Sequence, residues 1–201
     1  IWNGGLNSVG SSYRTNRYIR RSFVEAHAQG MRVMGLTLSP WGSESERRFL
    51  RTAAIDTMTH TRRIVDYVMG RIPPSEALGN FSSDHGTSST WAPNELADIR
   101  VDLFDSVLRN RSAPARDLAM VERLLSSDRA RSRLLSALPE PARTERRNVW
   151  VREMSELPRW FLRPEYRGFD AIHPNREGHR QIALATCRQA PAEWGCQCPA
   201  H

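Results

Sequence analysis

The segment Met31–Leu38, with the sequence Met-Arg-Val-Met-Gly-Leu-Thr-Leu, decides the fold class. It is mostly apolar and leads directly into the turn residues of Ser39–Gly42. A short apolar run that ends in turn residues is typical of a strand buried on both faces of a parallel sheet. Residues 13–29 before it and 44–69 after it carry apolar stripes at helical spacing. This order of helix, strand and helix predicts an α/β fold.

The rest of the chain continues the alternation. Residues 98–104 predict a second strand, and Ile1-Trp2 resembles the end of another. Arginine-rich amphipathic helices are expected at 116–138 and 141–157, and a polar loop at 80–90. A last helix is expected from Pro174 to about Arg188. The residues expected on its inward face are His179, Ile182, Ala183, Thr186 and Cys187.

Two whole strands and a stub are too few for a stable doubly wound sheet. We therefore expect that this chain is a processed or truncated product and that a segment on the N-terminal side is missing. The 201 residues, 39% of them hydrophobic, are expected to form a single domain, 1–201. No apolar run reaches the roughly 18 residues of a membrane span, so no span is expected.

The charge of the chain is strongly positive, +7, and every basic residue is an arginine. An anionic partner such as nucleic acid or an acidic polysaccharide is one interpretation. A coding bias that places arginines on solvated faces is the other. Acidic residues are interleaved with the arginines along the chain, and neither zinc-finger spacing nor an RNA-binding aromatic signature accompanies them. We favour the second interpretation and expect no nucleic-acid partner.

Three cysteines lie near the C-terminus: Cys187, Cys196 and Cys198. A disulfide from Cys187 to one of the other two would hold the tail against the last helix, and the pairing stays open. Such a bridge implies an oxidising compartment, so we expect a secreted or periplasmic protein. Three reduced cysteines in a cytosolic protein are the alternative.

The segment Phe169–His179 carries the most informative chemistry. Asp170 and His173 are three residues apart, so a carboxylate oxygen can accept Nδ1–H of the imidazole and leave Nε2 free as a base. Asn175 is a good N-cap for the helix that follows. A two-histidine metal site that includes Asp170 is an alternative, but the sequence shows no further ligand to complete it, and we expect no metal.

A second segment, Gly4–Ser8, directly follows the strand stub. Its glycines let the backbone approach a ligand, and the amide of Asn7 can donate to a developing oxyanion.

Together, the two segments resemble conserved blocks of the SGNH (GDSL-type) esterase and lipase hydrolases. Asp170-Ala171-Ile172-His173-Pro174-Asn175 resembles the family's last block, and Gly5 and Asn7 match its Gly-x-Asn block. The resemblance implies a flavodoxin-like, three-layer parallel sheet with a helical cap insertion at about 110–167. It implies hydrolysis of acyl or acetyl esters, carbohydrate esters among them, with His173 as base, Asp170 as its orienting partner and Asn7 and Gly5 as oxyanion donors. It implies no cofactor.

The sequence departs from the family in two places. Ser8 stands where the family often has Asp. The Gly-Asp-Ser block with the nucleophile normally precedes the Asn block, and it is absent here, so we expect the missing N-terminal segment to supply that serine and this chain alone to be inactive. Trp41, beside the loop that follows the central strand, is the candidate for substrate binding. The competing hypothesis is a non-catalytic protein of the same fold that binds an anionic glycan or a protein partner.

Overall fold

The structure, a computed structural model, describes residues 1–4, 6–45, 47–79, 89–170 and 172–197, without the side chains of residues 6–8. Within these ranges it has three strands and seven α-helices, several of them joined by short 3-10 helices. They are β1 (Trp2–Asn3), α1 (Ser12–Ala28), β2 (Met34–Leu36), α2 (Ala53–Val68), α3 (Pro74–Leu78), β3 (Ile99–Val101), α4 (Leu118–Ser127), α5 (Arg129–Ser136), α6 (Ala142–Glu156) and α7 (Arg176–Gln189). Most of the predicted loop at 80–90 lies outside the described residues.

The three strands form a parallel sheet in the order β1-β2-β3. Leu36 pairs with Asn3 on one side and with Val101 on the other, so the three strands end at the same edge. The prediction of a mixed α/β fold with a parallel sheet is confirmed. The strands are shorter than predicted, because within 31–38 and 98–104 only Met34–Leu36 and Ile99–Val101 form ladder pairs.

The middle strand has helices on both of its faces. Gly35 faces α1 and α2, and an added Cβ there would lie 2.9 Å from the Cβ of Ala97 and 3.4 Å from Phe23. Only a residue without a side chain lets Ala97 approach the strand this closely, while Phe23 of α1 and Val68 of α2 pack on the same face. Met34 and Leu36 point to the other face, where residues of α7 cover them.

The predicted helix at 13–29 is confirmed as α1. Ile19 and Phe23 are almost completely buried, as the apolar stripe predicts. Gly30 follows the helix with φ +70° and donates its N–H to His27 O at 2.9 Å. This left-handed glycine ends the helix in the usual way.

The predicted start of the next helix, at residue 44, is wrong. A 3-10 turn spans Arg47–Leu50, and α2 begins only at Ala53. The turn inserts Phe49 into the core beneath Gly42, where a Cβ would lie 2.3 Å from the Phe49 ring. The chain buries the Phe49 ring in the core, and the α-helix begins only after this residue.

The single helix predicted at 116–138 is two helices, α4 and α5. Asp128 lies between them and accepts the N–H groups of Ala130 and Arg131, which makes it the N-cap of α5. The helices of the expected cap region share the main core, to which they contribute Val121, Leu125, Trp150 and Met154. The expectation that residues 110–167 form a cap over a site stays a prediction.

The last helix is confirmed, but its predicted inward face is wrong in two positions. His179 and Ala183 are exposed, whereas Gly178 and Leu184 are buried. Gly178 turns inward because a Cβ there would lie 2.8 Å from Tyr166 O, so only glycine permits this contact. The helix is therefore rotated relative to the prediction.

A disulfide joins Cys187 at the end of α7 to Cys196. Of the two pairings that the sequence leaves open, the structure has the one with Cys196, and Cys198 lies outside the described residues. No helix among the described residues is long and apolar enough to cross a membrane.

Candidate functional site

The loop with Asp170 and His173 lies at the carboxyl edge of the sheet. Arg32, just before β2, forms an ion pair of 2.7 Å with Glu193, just after α7, so α7 ends near the amino end of the strands. The 14 residues of α7 extend about 21 Å back from that point. Its first turn, and the loop before it, therefore lie near the edge where ligands of α/β proteins bind.

The ends of this loop are joined by main-chain hydrogen bonds. Gly168 N–H donates to His173 O at 2.7 Å, and Asn175 N–H donates to Tyr166 O at 2.8 Å. An isolated antiparallel bridge joins Arg167 and Pro174 between them. The imidazole thus extends from a loop whose two ends are held together by main-chain hydrogen bonds.

Asn175 connects this loop to the helix. Its Oδ1 accepts the N–H of Gly178 at 2.9 Å, which is the N-cap that the sequence predicts. Its Nδ2 donates to Glu165 O at 2.8 Å. One side chain therefore fixes both the start of α7 and the segment that leads into the loop.

Asp170 uses its two oxygens for different purposes. Oδ1 accepts the N–H groups of Ile172 and His173, each at 3.0 Å. Oδ2 lies 2.5 Å from Nδ1 of the imidazole. Hydrogen bonds from the main-chain N–H and the ring of His173, with that of Ile172, lower the pKa of Asp170 to about 2. The carboxylate therefore stays charged at neutral pH.

The imidazole of His173 is open to solvent. Its side chain is 63% exposed, against 30% for that of Asp170. With Nδ1–H donated to Asp170, the lone pair is on Nε2, and no described residue forms a hydrogen bond to that atom. This arrangement can accept a proton from an approaching hydroxyl group.

The predicted oxyanion donors lie in the segment that follows β1. Gly5 is outside the described residues, and for Asn7 only the backbone is described, within a 3-10 helix over Leu6–Ser11. Because β1 ends at the same edge as β2 and β3, this segment leaves the sheet on the side of the His173 loop. Because the Asn7 side chain lies outside the described part of the chain, it stays a prediction that its amide and the His173 imidazole lie at one cleft.

Trp41 is a core residue here. It is 2% exposed, its ring packs edge-to-face on Phe49 at 5.2 Å, and Nε1 donates to Thr61 Oγ1. Contact with substrate would require a ring face that this packing covers. The substrate-binding role of Trp41 stays a prediction, and it requires that the buried ring become accessible.

The structure also contains a cavity that sequence reasoning missed. It has a volume of about 150 Å³ and lies between α2 and α6, with Trp160 at one wall. The only available signal was the helical spacing of Ile55, Met58 and Arg62, which equally suits ordinary packing.

The described residues contain no group of three His, Cys, Asp or Glu side chains placed to hold a metal ion. They define a mixed α/β protein with an oriented Asp–His pair at the carboxyl edge of a parallel sheet. No family model, curated protein or solved structure matches the chain. The function is therefore argued from the site itself.

Proposed function

We propose that the full-length protein is a serine esterase of the SGNH type, with a flavodoxin-like sheet, that hydrolyses acyl or acetyl esters. The observation that carries the proposal is the contact of 2.5 Å between Asp170 Oδ2 and His173 Nδ1, with Nε2 unpaired among the described residues. An orienting carboxylate and a free ring nitrogen are the two parts of a Ser-His-Asp triad that this chain can supply.

In the first half of the proposed reaction, a serine hydroxyl from a segment that precedes Ile1 attacks the ester carbonyl. Nε2 of His173 takes the hydroxyl proton as the C–O bond forms. The amide of Asn7 and the N–H of Gly5 donate to the oxyanion of the tetrahedral intermediate. Collapse of this intermediate breaks the bond to the leaving alcohol, which receives the proton from the imidazolium.

In the second half, water attacks the acyl-enzyme and Nε2 of His173 takes its proton. The second tetrahedral intermediate releases the acid and returns the proton to the serine. Asp170 keeps its negative charge throughout and stabilises the imidazolium that forms twice in each cycle. Its low pKa suits this role, because the carboxylate does not compete for the proton.

The remaining parts of the proposal concern substrate and location. The expected substrate is an acyl ester or an acetylated glycan, approached through a helical cap at about 110–167. The Cys187–Cys196 disulfide supports a secreted or periplasmic location, because such bonds persist in oxidising compartments.

A serine-directed fluorophosphonate tests the proposal in the full-length protein. We expect one labelled serine, located by peptide mass spectrometry, and at least a 100-fold slower labelling rate in His173→Ala. His179→Ala is the matched control, because this histidine is one turn further on and exposed. A folded protein that takes up no label, or equal rates in the two variants, would contradict the enzyme and favour a non-catalytic binding protein.

A further inference from the structure

The cavity between α2 and α6 has an apolar interior. Ile55 and Met58, which are 4% and 6% exposed, and the ring of Trp160 line it. Its volume of about 150 Å³ is that of an apolar protein cavity that accepts benzene. The space therefore suits one small ring or a short branched chain.

Charged groups surround this interior. Arg62 and Arg152 line the cavity, and neither guanidinium group forms a hydrogen bond or ion pair with a described residue. The guanidinium of Arg62 lies 5.0 Å from the centre of the Trp160 ring, which restricts its position beside the cavity. Two guanidinium groups with free N–H donors are suited to a carboxylate.

We propose that this cavity binds a small carboxylate whose apolar part is about the size of a benzene ring. The ring occupies the space beside Met58 and Trp160, and the carboxylate accepts hydrogen bonds from Arg62 and Arg152. The proposal is independent of the hydrolase function, because none of these residues belongs to the Asp170–His173 site.

Glu153 is the one carboxyl of the cavity lining that has no partner among the described residues. Its carboxyl lines the cavity and has no hydrogen bond or direct ion pair among the described residues. Burial raises the pKa of Glu153 and outweighs the opposing effect of Arg62, Arg131, Arg146 and Arg152. A carboxyl with a raised pKa opposes a bound carboxylate less than an ordinary glutamate does.

A cationic ligand fits the cavity less well. Arg62 and Arg109 already lie over the Trp160 ring, the latter at 3.7 Å from its centre, so the ring is engaged by the protein's own cations. Glu156, the second carboxyl that lines the cavity, is paired with Arg159 at 2.7 Å. The guanidinium groups of Arg62 and Arg152, in contrast, have no carboxylate partner among the described residues and repel a further positive charge. Charge and shape thus both favour an aromatic or branched carboxylate.

Calorimetric titration of the full-length protein with benzoate tests this proposal, with benzamide as the uncharged analogue. We expect benzoate to bind at least ten-fold more tightly than benzamide. Arg152→Gln is expected to weaken benzoate binding at least ten-fold, and Arg123→Gln, an exposed arginine on α4, to leave it unchanged.

Two further variants test the position of the ligand. Thr59→Trp adds a ring at an exposed residue that lines the cavity, and is expected to abolish binding without loss of the helical circular dichroism signal. Glu153→Gln replaces a carboxyl of the cavity lining by an uncharged amide and is expected to bind at least as tightly as the wild type. His173→Ala is expected to bind benzoate normally, which separates this proposal from the hydrolase.

Three results would overturn the proposal. The first is the absence of benzoate binding at millimolar concentration, and the second is equal affinity for benzamide. The third is equal weakening by Arg152→Gln and Arg123→Gln, which would indicate an unspecific charge effect.

Discussion

Oδ2 of Asp170 lies 2.5 Å from Nδ1 of His173, while Oδ1 of the same carboxylate accepts the main-chain N–H of His173 at 3.0 Å. One side chain thus fixes both the loop and the imidazole that the loop carries. The two functions can be separated by substitution, because they use different oxygens.

Asp170→Asn is the variant that separates them. The amide oxygen can still accept the main-chain N–H groups of residues 172 and 173, but its NH₂ group cannot accept Nδ1–H of the ring. The imidazole then favours the tautomer with the proton on Nε2, and ester turnover is expected to fall about 10⁴-fold. Steady-state kinetics of the full-length protein with p-nitrophenyl acetate measure this loss.

Asp117→Asn is the matched control for that change. Asp117 caps α4, where Asn serves equally well, so its turnover should equal that of the wild type. Equal turnover of p-nitrophenyl acetate by Asp170→Asn and Asp117→Asn would show that Asp170 has no part in the chemistry.

Gly178→Ala tests the contact that sets the rotation of α7. The new Cβ would lie 2.8 Å from Tyr166 O and equally close to Pro174 Cβ, so the helix must shift against the loop. We expect the free energy of unfolding to fall by about 1–3 kcal/mol, as measured by urea denaturation. Gly10→Ala is the control, since apart from its two chain neighbours no described atom lies within 4 Å of its added Cβ. Equal stability of the two variants would contradict this packing.

His27 is expected to make stability depend on pH. Its ring nitrogens contact Asn94 O and Asp98 Oδ2, both at 2.9 Å, and the hydrogen bond to Asp98 raises the pKa of His27. A raised pKa means that this stabilisation is complete below about pH 6.5, the ordinary histidine value, and is lost as the pH rises through the folded-state pKa.

The measurement compares urea unfolding of the wild type and His27→Gln at pH 5.5 and pH 8.5. The stability difference between them is expected to shrink at the higher pH, by less than about 1 kcal/mol for a partly exposed pair. His179→Gln serves as the control and should show no such change. A difference that grows with pH would refute the role of this pair.

The Cys187–Cys196 disulfide predicts a thiol count. Cys198→Ser, unfolded without reductant, should release no thiol that reacts with Ellman's reagent. Unfolding after reduction should then release two. The bridge closes a loop of about ten residues, so its reduction is expected to lower the free energy of unfolding by about 2–3 kcal/mol. Two reactive thiols in the unreduced variant would exclude the bridge.

The sequence predicted those elements whose apolar stripe or cap is formed by residues that are close together in the chain. The stripe of Ile19 and Phe23 predicted α1, and the Asn175 cap predicted the start of α7. The spacing of Asp170 and His173 likewise predicted their contact. Each of these depends on residues that are near one another in the chain.

Long-range contacts decided what the sequence did not reveal. Phe49 breaks the expected helix because its ring fills space beneath Gly42, and Gly178 turns α7 because Tyr166 lies against it. The cavity beside Trp160 needs two helices from distant parts of the chain. None of these arrangements leaves a periodic signal in one segment.

The central claim is that Asn7 and His173 act on one ester carbonyl, and the turnover of p-nitrophenyl acetate by the full-length protein tests it most directly. Asn7→Ala is expected to lower kcat by about 10²–10³-fold with little change in KM, since the amide stabilises only the oxyanion. His173→Ala should lose still more, whereas Asn148→Ala, on the exposed surface of α6, should match the wild type. Wild-type rates in both Asn7→Ala and His173→Ala would contradict the account.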